Sequence, residues 1–298
     1  MRLRLRACAK LNLTLEVLCR RSDGYHDLAT VFQTIDLYDT VVLSRADRIE
    51  LRMTGAVDEL TRRPAEDNLA YRAAVALREE AGNGNLGALI ELEKRIPAAA
   101  GLGGGSSDAA AVLRGLKRIW GLDLDIERLA RIGASLGADM PFFLHGGTAQ
   151  AGGRGDEVAP LPDSARKRLL LVVPRLHVRS KTASMYAALT SQRYSDGSAT
   201  QRLTSKLAGG GELSDGDLCN AFESIVGSVM PAAASLMQEC RHLGLSPHLS
   251  GSGPAFFVLR DDGDDVADRI QRRLSASDVD LIETATVTAV ESTAWDEV

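Results

Sequence analysis

The chain has 298 residues, enough for two domains or one large one, and its 45% hydrophobic content is ordinary for a protein with a full core. Its formal net charge of −5 argues against a nucleic-acid partner, which favours a basic surface. The sequence has no apolar run long enough to span a membrane, and its four cysteines lack metal-ligand spacing, so we expect a cytoplasmic protein in a reducing compartment.

The N-terminal segment alternates in the manner of a β-strand. From Arg2 to Leu18 the period of two predicts one long strand, or two strands with a break near Ala9. Lys10 and Asn12 fall on the same face of such a strand, so both side chains could point into a site. A solvated surface lysine is the alternative for Lys10 taken alone.

A turn that carries an aromatic ring and an imidazole comes next. The Asp-Gly pair at residues 23–24 is a turn signal, and it places Tyr25 and His26 side by side in one loop. An aromatic ring can stack on a nucleobase, and histidine can hydrogen-bond to the edge of the base. Solvent-exposed turn residues are the alternative. Strands are expected at Val31–Asp36 and Thr40–Met53.

Two further elements lead to a glycine-rich stretch. The pattern over Asn68–Gly82 predicts a helix that is capped by Asp67 or Asn68 and that ends just before Gly82. Residues Leu86–Ile96 alternate as a strand, which delivers the chain to the glycines.

The glycine loop, residues 97–107, reads PAAAGLGGGSS and runs directly into a helical pattern. Glycine permits positive φ and has no side chain, so successive N–H groups can point into one concavity. The helix start adds a partial positive charge, and Ser106 or Ser107 can cap it while a free hydroxyl reaches a phosphate. The loop therefore predicts a site for a nucleotide triphosphate, formed by Pro97, Ala98, Ala99, Ala100, Gly101, Leu102, Gly103, Gly104, Gly105, Ser106 and Ser107.

Three alternative structures for the glycine loop fit the residues less well. A flexible linker would lack the ordered helix start. A Walker P-loop requires a lysine after the glycines, and none follows here. A Rossmann turn requires a strand that runs straight into the glycines, whereas Pro97 and three alanines intervene; Asp123 or Asp125 lies at the distance expected of its acidic residue.

A carboxylate lies beyond the next helix. Residues Leu124–Leu136 predict a helix closed by Gly137, after which Asp139 stands just ahead of a proline and two phenylalanines. A carboxylate beside such apolar residues is a candidate general base. The alternative is that Asp139 is only a turn residue at the end of the helix. Residues Gly146–Gly155 predict a strand and a tight turn at the seam between two halves of the chain.

The second half alternates strands and helices. The polar stretch from Ser191 to Asp217 predicts a mobile loop or lid, and the turn at Ser250–Pro254 is equally suited to bracing another loop or to binding a ligand. The predicted elements are strands at Arg168–Val173, Phe256–Leu259 and Glu283–Val290, and helices at Lys181–Leu189, Asp217–Val226, Pro231–Leu243 and Asp265–Leu274.

Several segments together resemble the GHMP kinase superfamily. They are AKLNLTL (9–15), RRSDGYHDL (20–28), the glycine loop, GADMPFF (137–143), GRGDEV (153–158) and the late SGSGP turn (250–254). The resemblance implies a two-lobed α+β fold. An ATP-binding N-terminal lobe would cover residues 1–155, and a smaller α/β-sandwich lobe would cover residues 156–298. It also implies ATP and Mg²⁺ as cofactors, with no magnesium ligands assigned.

The resemblance also implies roles for individual residues. Lys10 and Asp139 match the catalytic pair of the superfamily, and Tyr25 and His26 match the residues that hold a cytosine. Thr182 and Tyr186, four residues apart on one helix face, match the opposite wall of that pocket, and Asn12 joins the substrate-binding residues through the face it shares with Lys10. Where relatives commonly have an N-D-hydrophobic-E run, this chain has Asn220-Ala221-Phe222-Glu223, so that segment is assigned no chemistry.

The implied activity is transfer of a phosphoryl group from ATP to the 2-hydroxyl of a small-molecule cytidine diphosphate substrate of the non-mevalonate isoprenoid pathway. The alternatives are another small-molecule GHMP kinase of the mevalonate or homoserine type, and a catalytically silent relative that senses a nucleotide or sugar. We expect a monomer or homodimer with neither nucleic-acid nor membrane partners.

Overall fold

The computed structural model describes residues 1–55, 64–176, 178, 180–261, 263–274 and 279–298, which form a two-lobed α+β fold. None of the described helices is long and apolar enough to cross a membrane. The first lobe contains β1 (Arg2–Arg20), β2 (His26–Ala46), β3 (Ile49–Gly55), α1 (Leu69–Glu80), β4 (Gly87–Lys94), α2 (Gly104–Trp120), α3 (Ile126–Leu136), α4 (Met140–His145), β5 (Thr148–Gly152) and β6 (Glu157–Pro160).

The remaining elements build the second lobe and return to the first. They are β7 (Arg168–Pro174), α5 (Lys181–Ala188), α6 (Ser198–Ala208), β8 (Cys219–Asn220), α7 (Val226–Val229), α8 (Pro231–His242), β9 (His248–Leu249), β10 (Phe256–Arg260), α9 (Val266–Leu274), β11 (Val279–Ala285), α10 (Ala289–Thr293) and β12 (Trp295–Glu297).

The two sheets differ in size. In the first lobe the strand order is β12-β1-β2-β4-β3, with β5 and β6 continuing from β2 and with β8 alongside β1. In the second lobe the order is β11-β7-β10-β9, and these neighbours are antiparallel. The α+β class predicted from the sequence is confirmed.

The strand β1 is continuous, which confirms the first of the two predicted alternatives. Its pairing with β2 shifts register between Cys8 and Lys10, at the place where a break was the other alternative, and shifts again further along. An irregularity of this kind bends a strand and re-aims a side chain. It stands directly before Lys10, whose side chain is buried.

One hydrophobic cluster joins the two sheets. Leu11 and Leu13 of β1 pack there with Leu169 and Leu171 of β7, and Phe257 of β10 completes the contact between the lobes. The cluster also includes Ala100 and Leu102 of the glycine loop, together with Leu203 and Leu207 of α6. The loop is therefore part of the core that connects the lobes.

The polar stretch between Ser191 and Asp217 is not the lid that the sequence predicts. It contains a short 3-10 helix and α6, and Thr200 of α6 is buried. The Thr200 N–H donates to Glu16 Oε2 at 2.7 Å, and its hydroxyl donates to Thr14 Oγ1 at 2.9 Å. These bonds to β1 anchor the segment to the first sheet.

Two other predicted elements are wrong. Residues 217–226 do not form one α-helix, because the backbone at Cys219–Asn220 pairs with β1 and Ala221–Ser224 forms only a short 3-10 helix. The predicted strand Glu283–Val290 ends at Ala285, since Thr288 and Glu291 form a capping box that starts α10.

The turn at residues 153–156 does not separate the lobes. It joins β5 to β6, and both strands belong to the first sheet, so the prediction of a seam at Gly155 is wrong at the level of the sheets. A division in the connection 161–167, between β6 and β7, fits the sheets better.

A buried ion-pair cluster holds the two ends of the glycine loop together. Lys94 Nζ donates to Asp39 and, at 2.6 Å, to Asp108 Oδ2 in the first part of α2. Asp39 Oδ1 also accepts the N–H groups of Arg95 and Ile96 at 2.5 and 2.8 Å. Burial lowers the pKa of Lys94, but the charges of Asp108 and Asp39 outweigh it, so the net direction is upward.

Replacement of Asp39 by alanine should lower the free energy of unfolding by about 3 kcal/mol, because it leaves a buried ammonium and two N–H groups short of acceptors. Urea unfolding measures the change. Asp36→Ala is the matched control, since Asp36 pairs with Arg6 and Arg166 at a half-exposed position and should cost less than about 1 kcal/mol. Equal losses in both variants would contradict a stabilising role for the cluster.

Candidate active site

A large cleft of about 1840 Å³ receives residues from both lobes and is called the main cleft here. Strand β1, the turn before β2, the connection between α3 and α4, and helix α5 all line it. The structure therefore brings together the predicted catalytic and substrate-binding residues Lys10, Asn12, Tyr25, His26, Asp139, Thr182 and Tyr186.

Lys10 and Asp139 face each other across the floor of the cleft. Lys10 Nζ lies 3.6 Å from Asp139 Oδ2 and donates to Asn12 Oδ1 at 2.6 Å. Asn12 Nδ2 donates in turn to Thr30 Oγ1 at 2.8 Å, so the amide orientation is fixed from behind. Burial lowers the pKa of Lys10, and the negative charge of Asp139 opposes that shift.

Asp139 owes its position to a short connection between two helices. It occupies the N-cap position of α4 but makes no side-chain capping bond, so its carboxylate stays available. Its side chain is 35% exposed, whereas the Lys10 side chain is 5% exposed, so water and substrate reach the carboxylate from the cleft. The buried residues Met140 and Phe143 hold this end of α4.

The glycine loop is fastened through its carbonyl groups. Its backbone oxygens from residue 99 to residue 102 each accept a hydrogen bond from outside the loop. In chain order, Ala99 accepts from Lys181 Nζ at 2.8 Å, Ala100 from Ala255 N at 3.2 Å, Gly101 from Ser250 Oγ at 3.2 Å and Leu102 from Lys10 N at 2.9 Å. The partial negative charges of these four carbonyl oxygens are therefore compensated by donors within the protein.

The helix after the loop begins earlier than the sequence indicates. Helix α2 starts at Gly104, and Gly103 occupies its N-cap with φ of 73°, so the prediction that Ser106 or Ser107 caps the helix is wrong. Ser107 is buried; its hydroxyl donates to Cys8 O at 2.7 Å and its N–H to Gly103 O at 3.0 Å. With both donors engaged, Ser107 is not available to a phosphate, which corrects its predicted role.

A second pocket of about 360 Å³, called the loop pocket, lies on the outer side of the glycine loop. Its lining comprises Ile96 to Ser106 together with Met53, Asp67, Asn68, Leu69, Lys94 and Asp108. The first N–H groups of α2 have no intrahelical acceptors, and the start of a helix favours an anion. The loop pocket thus has the donors and the field that a polyphosphate requires.

The aromatic end of the main cleft differs in detail from the expected arrangement. His26, not Tyr25, lies parallel to Tyr186, with ring centroids 4.8 Å apart and an interplanar angle of 19°. Tyr194 contacts the edge of His26. Tyr25 is 58% exposed, and the Arg154 guanidinium lies 5.1 Å from its ring centroid. Burial lowers the pKa of His26 and raises that of Tyr186, so in both rings it favours the neutral form.

The Ser250–Pro254 turn braces the glycine loop, which confirms one of its two predicted roles; because the turn also lines the main cleft, ligand binding stays a prediction. Besides the bonds to the loop carbonyls, Gly251 O and Leu249 O each accept from Asn220 Nδ2 at 2.8 Å. Glu223 Oε1 accepts the Leu249 N–H at 2.8 Å. Asn220 and Glu223, to which no chemistry was assigned, hold the turn in place.

Cationic residues of the main cleft that were missed in the sequence include Lys181 and Arg154. Lys181 stands directly before Thr182, and Arg154 lies in the GRG turn next to Tyr25. The signal for Lys181 was its position at the start of a predicted helix that already carried two candidate residues.

Comparison with known sequences agrees with this geometry. Residues 68–147 match the family described as GHMP kinases N terminal domain. The chain is 37% identical over 274 residues to the 4-diphosphocytidyl-2-C-methyl-D-erythritol kinase of Dehalococcoides mccartyi, which covers 91% of this chain and 94% of the relative. It is 38% identical over 262 residues to the kinase of the same name from Bacillus cereus, with 87% and 88% covered.

Solved structures give the same result. A crystal structure of 4-(cytidine 5′-diphospho)-2C-methyl-D-erythritol kinase matches with a TM-score of 0.76 and 36% identity, over 95% of this chain and 98% of that one. A homoserine kinase from Cytophaga hutchinsonii shares the fold, with a TM-score of 0.73 at 16% identity over 96% and 95% of the two chains. The chain belongs to the GHMP kinases and, within them, to the family of 4-diphosphocytidyl-2-C-methyl-D-erythritol kinases.

Replacement of Asp139 by asparagine should reduce kcat by about 10²–10⁴-fold, because the amide cannot accept a proton from the acceptor hydroxyl. Nucleotide affinity should stay within about twofold, since a carboxylate does not attract the phosphates and Asp139 does not line the loop pocket. Steady-state kinetics and calorimetry measure the two quantities. Asp123→Asn, at an exposed site in the same lobe, is the control. Near-normal turnover in Asp139→Asn would contradict a role as general base and leave Asp139 as a turn residue.

Two glycine variants separate phosphate binding from folding. A Cβ at Gly105 would meet only Leu69 Cδ1 at 3.6 Å, so Gly105→Ala should fold normally and raise the KM for ATP at least about tenfold by crowding the phosphates. A Cβ at Gly103 would lie 2.6 Å from Phe143 Cζ at positive φ, so Gly103→Ala should also lower the melting temperature. An unchanged ATP KM in Gly105→Ala would place the phosphates elsewhere.

Proposed function

We propose that this protein catalyses ATP-dependent phosphorylation of the 2-hydroxyl of 4-diphosphocytidyl-2-C-methyl-D-erythritol, in the non-mevalonate isoprenoid pathway. The observation that carries the proposal is the Lys10–Asp139 pair, set between a phosphate-binding loop and an aromatic pocket in one cleft. We further propose that the enzyme works in the cytoplasm as a monomer or homodimer.

The protein contributes to this reaction by positioning the reactants and by stabilising charge, more than by covalent chemistry. The acceptor hydroxyl attacks the γ-phosphorus as the bond to the β-phosphate oxygen breaks, and ADP leaves. Asp139 accepts the hydroxyl proton, because its carboxylate is free of capping bonds and open to the cleft. Lys10, held by Asn12, stabilises the charge that develops on the acceptor oxygen and on the phosphoryl group.

ATP is assigned to the loop pocket and to residues 97–106. The polyphosphate would receive the free N–H groups at the start of α2, while the loop carbonyls stay bound on the other side. The pocket continues past Met53, Asn68 and Leu69, where less polar surface suits a nucleoside.

Mg²⁺ fits this site as a partner of the nucleotide. Within the described ranges, no group of three or more His, Cys, Asp and Glu residues is placed to hold a metal ion unaided. Asp108 Oδ1 is buried at the loop pocket without a hydrogen-bond partner, and Ser106 lines the same pocket, so these two residues would supply oxygen donors of the kind that Mg²⁺ prefers. When bound, Mg²⁺ offsets the negative charge of the β- and γ-phosphates.

The cytidine end of the substrate is assigned to the aromatic part of the main cleft. In the proposed arrangement the cytosine lies between Tyr25 and Tyr186, and His26 hydrogen-bonds to its edge. Because His26 stacks on Tyr186 in the structure, this arrangement requires the imidazole to leave the tyrosine ring as the base enters. Thr182, which hydrogen-bonds with Ser252 at 3.0 Å, completes the wall beside the phosphates.

A homoserine or mevalonate kinase is the second candidate, because such enzymes share this fold. The aromatic group at Tyr25, His26 and Tyr186 favours a substrate with a nucleobase, which neither mevalonate nor homoserine has. The presence of both Lys10 and Asp139, within contact distance of each other, disfavours a catalytically silent relative that only senses a ligand.

Replacement of Tyr25 by alanine should raise the KM for the cytidyl substrate about tenfold to a hundredfold, since stacking on an aromatic ring is worth about 1–3 kcal/mol per base. Tyr25→Phe keeps the ring and should stay within about threefold of the wild type. The ATP KM should change in neither variant, because Tyr25 does not line the loop pocket.

The same assay decides the identity of the acceptor. Wild-type enzyme is offered the cytidyl substrate, mevalonate and homoserine, and ADP release is measured for each. A higher kcat/KM with mevalonate or homoserine would overturn the cytidyl assignment and leave the kinase class intact.

A further inference from the structure

A second lysine lies at the junction of the two glycine turns. Lys181 is the first residue of α5, and its ammonium donates to Ala99 O at 2.8 Å and to Gly253 O. Ala99 belongs to the glycine loop and Gly253 to the bracing turn. The side chain lines the main cleft, so one cation from the second lobe reaches the loop assigned to ATP.

The charge of this lysine is not neutralised. Lys10 has Asp139 as an acidic neighbour, and Lys94 has two carboxylates, but Lys181 makes no ion pair with any described residue. Burial and then the positive charge of Lys10 lower the pKa of Lys181 to about 8, so most of it is charged at neutral pH. A partly buried ammonium that has only carbonyl partners is stabilised by an incoming anion.

The position within the cleft selects the anion. Lys181 begins α5 and Tyr186 lies five residues further on, a rise of about 7.5 Å along the helix axis, so the two side chains leave different turns of the helix. Its contact with Ala99 and its electrostatic interaction with Lys10 put it beside the reacting centre. A phosphoryl group held there would stand between lysines from different lobes.

On the basis of the proposed kinase function, we propose that Lys181 is a further catalytic residue that binds the γ-phosphoryl oxygens of ATP, on the side of the phosphoryl group away from Lys10. The phosphoryl group moves from the β-phosphate oxygen to the acceptor oxygen, and the hydroxyl proton goes to Asp139. Lys181 keeps its own proton throughout and supplies charge alone.

The test compares Lys181→Met with Lys181→Gln. Methionine removes both the charge and the hydrogen-bond donors, whereas glutamine removes the charge but keeps N–H groups for Ala99 O and Gly253 O. Calorimetry measures the Kd of ADP and of a non-hydrolysable imido analogue of ATP, each with Mg²⁺. Lys117→Met, on the far part of α2, is the control, and melting temperatures report folding.

We expect both Lys181 variants to bind the ATP analogue about tenfold more weakly, while the Kd of ADP changes less than about threefold. If Lys181 is only a brace, Lys181→Gln will behave as the wild type, or both nucleotides will weaken equally in Lys181→Met, and either result overturns the proposal. Because these measurements use no acceptor, failure of the wild type to phosphorylate the cytidyl substrate would overturn the proposed function and not this assignment.

Discussion

The site depends on how the glycine loop is fastened from behind. Consecutive carbonyl oxygens from Ala99 to Leu102 accept hydrogen bonds from α5, the bracing turn and β1, which belong to both lobes. A glycine-rich segment has a large conformational entropy to lose, and these bonds hold it in one conformation before any ligand arrives. Because the carbonyls are bound on that side, the first N–H groups of α2 stay free for an anion.

The same constraint positions the reacting groups. The Lys10 N–H that donates to Leu102 O belongs to the residue whose ammonium faces Asp139, so one backbone hydrogen bond fixes the loop relative to Lys10. The register shift in β1 stands directly before this residue and turns its side chain into the cleft. Positioning of this kind supplies much of the rate enhancement in phosphoryl transfer.

The sequence predicted local patterns well and long-range hydrogen bonds poorly. Periodicity predicted β1, α1 and β4, and the loop composition predicted an anion site. The prediction that a serine caps α2 was wrong because Gly103 adopts a positive φ and α2 begins directly after it. The mobile loop or lid predicted for Ser191–Asp217 was wrong because Thr200 hydrogen-bonds to Glu16, 184 positions away, and no local sequence pattern reveals that bond. The stack of His26 on Tyr186 likewise arises only from tertiary structure.

The hydrophobic cluster that joins the two sheets has a consequence for how the enzyme admits its ligands. Leu11 of the first sheet and Leu171 of the second are fully buried in it, and Ala100 of the glycine loop is buried beside them. Rotating one lobe against the other would expose this apolar surface to water, at roughly 25 cal/mol for each Å². Packing of the two sheets on this shared cluster therefore opposes a rotation that would open the cleft.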